Sequence, residues 1–151
     1  MKLAEALQER ADINRNIEQL KSRLNNNVLV QEGEQTAEKP ERLKRELDDS
    51  IQRLAYLISR INLTNCETKI GGQTLTELIA EKDALSLKLS AYKEIAYTAS
   101  QTSYRARGTE IKIKPAIAVG KWQAEIDAMS KELRLLDNKL QACNWNTDLI
   151  E

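Results

Sequence analysis

Apolar residues recur at alternating spacings of three and four in four separate stretches of this 151-residue chain. In the first stretch the repeat falls on Leu3, Ala6, Arg10, Ile13, Ile17, Leu20, Leu24 and Asn27. Such a repeat, kept up over about 25 residues, is typical of a helix that packs along another helix over its whole length. The four stretches predict four long helices, over residues 2–27, 40–65, 75–100 and 119–144.

The other three stretches follow the same rule. The second runs through Leu43, Leu47, Ile51, Leu54, Ile58, Ile61 and Asn65. The third runs through Leu75, Leu78, Lys82, Leu85, Leu89, Tyr92, Ala96 and Ala99. The fourth runs through Val119, Trp122, Ile126, Met129, Leu133, Leu136, Leu140 and Cys143. Helices of about 38 Å, joined by connectors of roughly 10–20 residues, predict an all-α fold. We expect four antiparallel helices, as a bundle or as paired helical hairpins, in a single domain over residues 1–151.

Two connecting stretches look less helical and predict a small cap. Val28-Leu29-Val30 precedes an acidic run, and it would form a short strand or a loop pinned to the helices by its three aliphatic side chains. Residues 110–114 alternate apolar and polar side chains with the period of a strand. We therefore expect residues 28–34 and 108–116 to form an irregular or β-like cap. Gly71-Gly72 predicts a tight turn between the second and third helices.

Charge is balanced overall but unevenly distributed. The chain carries 23 basic and 23 acidic residues, and this balance argues against a nucleic-acid partner. Residues 28–50 hold an excess of acids, whereas residues 101–121 hold an excess of bases. Two interpretations stay open: these are solvated loops of opposite sign, or the basic loop meets the acidic one within or between chains.

Several kinds of chemistry lack their usual residues. Histidine is absent, so imidazole ligands and histidine acid–base catalysis are excluded, and no glycine-rich phosphate loop is present. Cys66 and Cys143 show no CxxC spacing and are expected to be reduced. No stretch approaches the roughly 20 apolar residues of a membrane-spanning helix, and the first residues lack the apolar core of a signal peptide. We expect a cytoplasmic protein that is not an enzyme and has no cofactor.

Four polar residues occupy seam positions, where the repeat calls for apolar side chains: Arg10, Asn27, Asn65 and Lys82. Side chains at helix ends or at the edge of a core can reach water from such positions. Alternatively, a buried polar residue specifies register or oligomeric state in helical assemblies.

Asn62 and Asn65 are three residues apart, so they share one face of the second helix. The acids and amides after the first helix, Gln31, Glu32 and Glu34, are candidate partners for them. The sequence thus suggests a polar site or interface at these five residues. A di-carboxylate metal site is not expected, because the pairs with suitable spacing lie in one segment.

The order of residues in several segments resembles one bacterial family of helical proteins of similar length. These segments are Met1–Leu7 with Arg10-Ala11-Asp12, Asn26–Glu34, Arg60–Asn65, and Leu133–Asp137 with Gln141–Trp145. The family is largely uncharacterised and is often labelled septicolysin-like, which implies a pore-forming toxin. The resemblance places Gln31, Glu32, Glu34, Asn62 and Asn65 in the shared pattern and, more loosely, Arg105 and Glu110.

Three functional hypotheses follow. The first is a non-enzymatic helical protein that associates with itself, because apolar residues off the seam, such as Leu7, Leu57, Ile79, Leu87 and Ile95, widen the apolar stripes beyond one partner helix. The second is the membrane-lytic toxin that the family label implies, and a membrane is a partner only in that case. The third is a helical bundle that binds a ligand or metal near Asn62, Asn65 and Glu32.

Overall fold

The structure is a computed structural model that describes residues 1–102 and 112–151. Within these residues the chain forms four helices and one two-stranded sheet, which confirms the predicted all-α class. The elements are α1 (Leu3–Asn25), α2 (Pro40–Glu67), β1 (Lys69–Ile70), β2 (Gln73–Thr74), α3 (Leu75–Ser100) and α4 (Val119–Asn146). Each helix begins and ends within two residues of its predicted bounds.

Local chemistry explains where two of the helices begin. The backbone N–H of Lys2 donates to the Glu5 carboxylate at 2.7 Å, which satisfies a donor at the start of α1. Pro40 occupies the first turn of α2, where its missing N–H leaves no hydrogen bond unmade. Glu41 follows and interacts favourably with the positive end of the helix dipole.

The described chain divides into two compact units: unit 1 holds Met1–Thr74 and Ala142–Glu151, and unit 2 holds Leu75–Gln141. In unit 1, α1 and α2 form an antiparallel hairpin. Glu9 pairs with Arg53, and Asn16 donates to Ser50 at 3.3 Å. Near the other end of α1, Arg23 pairs with Glu38. A single helical domain over residues 1–151 stays a prediction.

Unit 2 contains a second antiparallel hairpin, made by α3 and α4. Its core cluster consists of Leu89, Ala96, Ile126 and Met129. The rings of Tyr92 and Trp122 lie 4.9 Å apart at one end, and Lys82 pairs with Asp137 towards the other. The predicted seam positions of α3 and α4 are all buried or half-buried.

The seam of α2 differs from the predicted one. Leu57 is fully buried, although its position was predicted to lie off the seam, whereas Ile51 and Ile58 are 48% and 41% exposed. The buried line also includes Thr64. Helix α2 is thus rotated relative to the prediction, with a threonine in the core and two isoleucines outside it.

The small β element lies in a different place from the predicted cap. Residues 28–34 are irregular, which is one of the two predicted forms of the cap. Residues 112–116 are also irregular. Residues 108–111 lie outside the described part of the chain. The strands β1 and β2 instead flank Gly71 and Gly72, whose φ angles of 59° and 91° confirm the predicted tight turn. Positive φ favours glycine, so this turn determines where the two strands pair.

Candidate functional site

The connector between α1 and α2 is held closed at its base by one buried side chain. Asn27 is 6% exposed, and its amide nitrogen donates to the carbonyl of Arg23 at 2.7 Å. Its amide oxygen accepts the backbone N–H of Glu38 at 2.9 Å. Asn27 therefore joins the last turn of α1 to the residues just before α2. We call the residues between these anchors, 28–37, the tip loop.

An ion cluster lies beside this anchor. The Glu38 carboxylate accepts hydrogen bonds from the guanidinium groups of Arg23 and Arg42, and Arg42 also pairs with Glu46 at 3.6 Å. The bond from Arg23 holds the pKa of Glu38 below its ordinary value of 4.5, and the same bond raises the pKa of Arg23. Glu38 is thus ionised at neutral pH and engaged within unit 1.

The tip loop itself presents apolar and acidic side chains to solvent. The loop turns at Gly33, whose φ is 85°, and the N–H of Glu34 donates to the carbonyl of Gln31 at 3.0 Å. Gln31, Glu32 and Glu34 are all exposed. The expectation that Val28-Leu29-Val30 pins the loop to the helices is wrong, because all three are exposed and Leu29 is 88% exposed. Asn27, and not the aliphatic triplet, anchors this segment.

Two other predicted site residues, Asn62 and Asn65, lie far from the tip loop. Asn62 and Asn65 belong to the last two turns of α2, about 35 Å along the helix from Pro40, at 1.5 Å per residue. Asn62 is exposed and Asn65 is half-buried. The structure therefore does not bring them together with Gln31, Glu32 and Glu34. Arg105 and Glu110 lie outside the described residues.

At the Asn62–Asn65 end, the side chain that makes the structural contacts is Thr64. Its hydroxyl donates to the carbonyl of Arg60 at 2.8 Å and accepts the backbone N–H of Ile150 at 2.9 Å. Thr64 is not among the site residues predicted from the sequence, although it follows Leu57 and Ile61 at spacings of seven and three, which are the spacings of a helical seam.

Thr64 belongs to a set of contacts that ties both chain ends together, which we call the terminal clasp (residues 1–3, 64 and 147–150). The N–H of Leu3 donates to the carbonyl of Thr147 at 2.9 Å, and the N–H of Leu149 donates to that of Met1 at 2.8 Å. Lys2 pairs with Asp148 at 2.8 Å, and its hydrogen bond lowers the pKa of that carboxyl. Leu149 is buried.

Unit 2 carries a groove between the end of α3 and the segment that precedes α4. Its volume is about 390 Å³. The walls are mostly apolar, from Ile95 and Ala99 on α3 and from Ile113, Pro115 and Ile117 on the facing segment. Two charged residues, Glu94 and Lys114, also line it. The exposed Lys112 stands next to this segment. The excess of bases in this segment is visible in the sequence, but its contribution of an apolar wall was not predicted.

A second groove runs along α3 and α4, with a volume of about 480 Å³. Its lining includes the bases Lys82, Lys93 and Arg134. Lys82, one of the polar seam residues, is half-buried and bonds Asp137, and this bond lowers the pKa of that carboxyl. Lys82 thus reaches a partner at the edge of the core.

Among residues 1–102 and 112–151, no three acidic or cysteine side chains converge in a way that would hold a metal ion. Within the same residues, no helix contains an apolar stretch long enough to cross a bilayer.

These features define an all-α protein built on two antiparallel helical hairpins. The chain belongs to a family of unknown function (DUF6847), whose model matches residues 10–149. It is similar to a functionally unknown conserved protein from Corynebacterium diphtheriae, known from its crystal structure. That protein superposes with a TM-score of 0.94 and is 34% identical, with 99% of each chain covered. No curated protein matches the sequence. The resemblance to septicolysin-like proteins stays a prediction.

Proposed function

We propose that this protein is a non-enzymatic helical protein that acts by associating with further copies of itself. The observation that carries this proposal is an exposed apolar stripe on α2, formed by Ile51, Ala55 and Ile58. All three side chains are exposed. At 100° per residue they fall within about 60° of one another, so they form one continuous stripe.

The two flanks of α2 differ in chemistry, and this contrast supports a protein partner for the stripe. Arg53, which bonds Glu9 through both carboxylate oxygens, lies about 160° around the helix from Ile51. One flank is therefore closed by ion pairs within unit 1, while the other presents isoleucine. Single exposed apolar residues are ordinary, but a contiguous apolar stripe marks an interaction surface.

A second copy of the chain is the partner that the stripe fits most simply. A helical stripe with spacings of four and three packs against an equivalent stripe, and a two-fold axis brings identical surfaces together. Apolar exposure is also found on unit 2, at Leu87, Tyr97 and Leu135. The residues of the predicted ligand site do not converge: Glu32 lies before the start of α2, whereas Asn62 and Asn65 lie in its last two turns.

Sedimentation velocity between 1 and 100 µM tests the proposal, using the double variant Ile51→Glu/Ile58→Glu. We expect the unaltered protein to sediment as an oligomer and the variant to shift towards the monomer, since two carboxylates would be buried in the contact. The matched control is Gln52→Glu/Ser59→Glu, which adds the same charge at the same spacing on another exposed face of α2. It should leave the oligomer intact, and circular dichroism should show both variants folded.

Two results would contradict the proposal. One is an unaltered protein that stays monomeric at every concentration. The other is a stripe variant that is folded and assembles as well as the control variant does.

A further inference from the structure

We infer that the tip loop of one copy docks into the apolar groove at the end of α3 in another copy, giving a head-to-tail contact. This inference rests on the proposed function only in that the partner is the same chain. It involves a different surface from the α2 stripe, and the two contacts can be separated by experiment.

The tip loop has the form of an inserting element. Its three consecutive aliphatic residues, Val28-Leu29-Val30, are all exposed, with Leu29 almost entirely in solvent. Asn27 fixes the base of the loop, because its side-chain amide donates to the carbonyl of Arg23 and accepts the backbone N–H of Glu38. A loop anchored in this way loses little conformational entropy on binding, which favours a rigid apolar tip as a contact element.

The groove offers the complementary surface. Ile95, Ala99, Ile113 and Ile117 supply apolar walls around a volume of about 390 Å³. Ile113 is 48% exposed within a single chain, and each of the three aliphatic residues of the tip loop is more than half exposed. Among residues 1–102 and 112–151, nothing therefore covers either surface completely.

Charge complementarity identifies the occupant as a second copy. Two acids, Glu32 and Glu34, follow the aliphatic tip, and both are exposed. Two bases, Lys112 and Lys114, flank Ile113 and are also exposed. An aliphatic tip followed by acids thus matches an apolar groove edged by bases. Glu94 also lines the groove, so the tip acids must lie on the lysine side of it.

The geometry has a consequence for assembly. The two surfaces belong to different parts of the chain, so a single tip–groove contact is heterologous. Repeated contacts of this kind give closed rings, the smallest being a pair of copies that exchange tips, or open filaments. Together with the α2 stripe, the tip contact would build assemblies larger than a dimer.

A charge exchange tests the contact through two variants, Glu32→Lys/Glu34→Lys and Lys112→Glu/Lys114→Glu. Each variant alone places like charges together at every tip–groove contact, so we expect about a tenfold or greater loss of assembly beyond the dimer. In an equimolar mixture every contact between the two variants joins opposite charges. The mixture should therefore recover the sedimentation profile of the unaltered protein, and raised salt should weaken that recovery.

A neutral substitution tests the apolar part of the contact. Leu29→Ser should reduce the larger assemblies at any salt concentration, while Gln35→Ser, in the same loop, should not. Thermal unfolding of each variant checks that the loss is not one of folding.

The outcomes separate this inference from the proposed function. If both charge variants assemble as the unaltered protein does, or if the mixture recovers nothing, the tip contact is wrong. If dimers persist and respond only to the α2 stripe variant, the tip contact is again wrong but self-association stands. If the unaltered protein is monomeric throughout, both ideas fail together.

Discussion

Asn27 and Thr64 show how single polar side chains hold unit 1 together. Both are buried, and each side chain bonds backbone groups from two different segments. Asn27 joins Arg23 to Glu38, and Thr64 joins Arg60 to Ile150. A buried polar group contributes stability when its hydrogen bonds are satisfied, and it destabilises the fold when a partner is removed. Substitution of either residue should therefore destabilise unit 1.

The substitution Asn27→Ala should lower the free energy of unfolding by about 1–3 kcal/mol, because it leaves a backbone donor and a backbone acceptor without their partner. Hydrogen exchange at the Glu38 amide should also become faster. Asn25→Ala, at the exposed end of α1, is the control and should change stability by less than about 0.5 kcal/mol. Equal effects of the two substitutions would mean that Asn27 does not anchor the loop.

At Thr64 the informative pair is Thr64→Val and Thr64→Ser. Valine keeps the shape but orphans the Ile150 N–H, so we expect a loss of about 1–2 kcal/mol and faster amide exchange in residues 147–150. Serine keeps the hydroxyl, so the Ile150 amide should stay protected, although the lost methyl group still lowers overall stability. Amide exchange followed by mass spectrometry or NMR distinguishes the two variants.

Sequence could flag one of these two residues and not the other. Asn27 was identified because it interrupts an otherwise apolar repeat at the end of α1. Thr64 does not stand out in the sequence, because Asn62 and Asn65 share a helix face and form the more conspicuous polar pair. Which of three neighbouring polar residues is buried depends on the rotation of α2, and tertiary packing sets that rotation.

At the scale of elements, α2 explains why periodicity alone could not define the whole seam. Leu47, Leu54 and Ile61 fit both the predicted line and the observed one. The observed line adds Leu57 and Thr64, whereas the predicted one adds Ile51 and Ile58. Apolar residues occupy both lines, so the pattern could give the position of the helix but not its rotation. The additional apolar residues, Ile51 and Ile58, belong to the stripe that we assign to self-association.

Two adjacent residues test the rotation of α2. Leu57→Ala should destabilise the protein by roughly 2–5 kcal/mol, because Leu57 is fully buried and alanine leaves a cavity. Ile58→Ala should cost less than about 1 kcal/mol in the monomeric state, since Ile58 is partly exposed. Urea unfolding at a protein concentration low enough to keep the chain monomeric gives both values. If Ile58→Ala destabilised the protein more than Leu57→Ala does, the predicted seam would be the correct one.

Other elements were predictable to different degrees. The bounds of all four helices followed from the repeat, from Pro40 and from the glycine turn. The location of the sheet did not, because a two-residue ladder depends on turn geometry and not on apolar alternation. Val28-Leu29-Val30 has high strand propensity, yet no described strand lies beside it. A segment with high strand propensity does not form a sheet unless a second strand pairs with it.

At the scale of the whole molecule, ion pairs make stability depend on pH. Glu9, Glu38, Asp137 and Asp148 each bond a base, and in each case that bond lowers the pKa of the carboxyl. A carboxyl whose pKa is lower in the folded state contributes stability above its unfolded pKa, and this contribution is lost as pH falls through the folded value. The ordinary values are 4.5 for Glu and 3.8 for Asp.

We therefore expect the melting temperature to be flat from pH 7 to about 5 and to fall as the pH is lowered towards 3. Raised salt at neutral pH should weaken the same pairs, because they are partly exposed. Calorimetry across this range, with Glu9→Gln as a variant that removes one titrating group, gives the measurement. A variant curve as steep as that of the unaltered protein would exclude Glu9 from the effect.

The terminal clasp has a consequence for how the chain can be rewired. The backbones of residues 1–3 and 147–149 already exchange hydrogen bonds, so a short glycine-rich linker could join residue 151 to residue 1 with little strain. A circular permutant opened at Gly33, in the exposed tip loop, should then fold and melt close to the native temperature. The order of α1 and α2 along the chain would change, while the contacts that hold unit 1 would not.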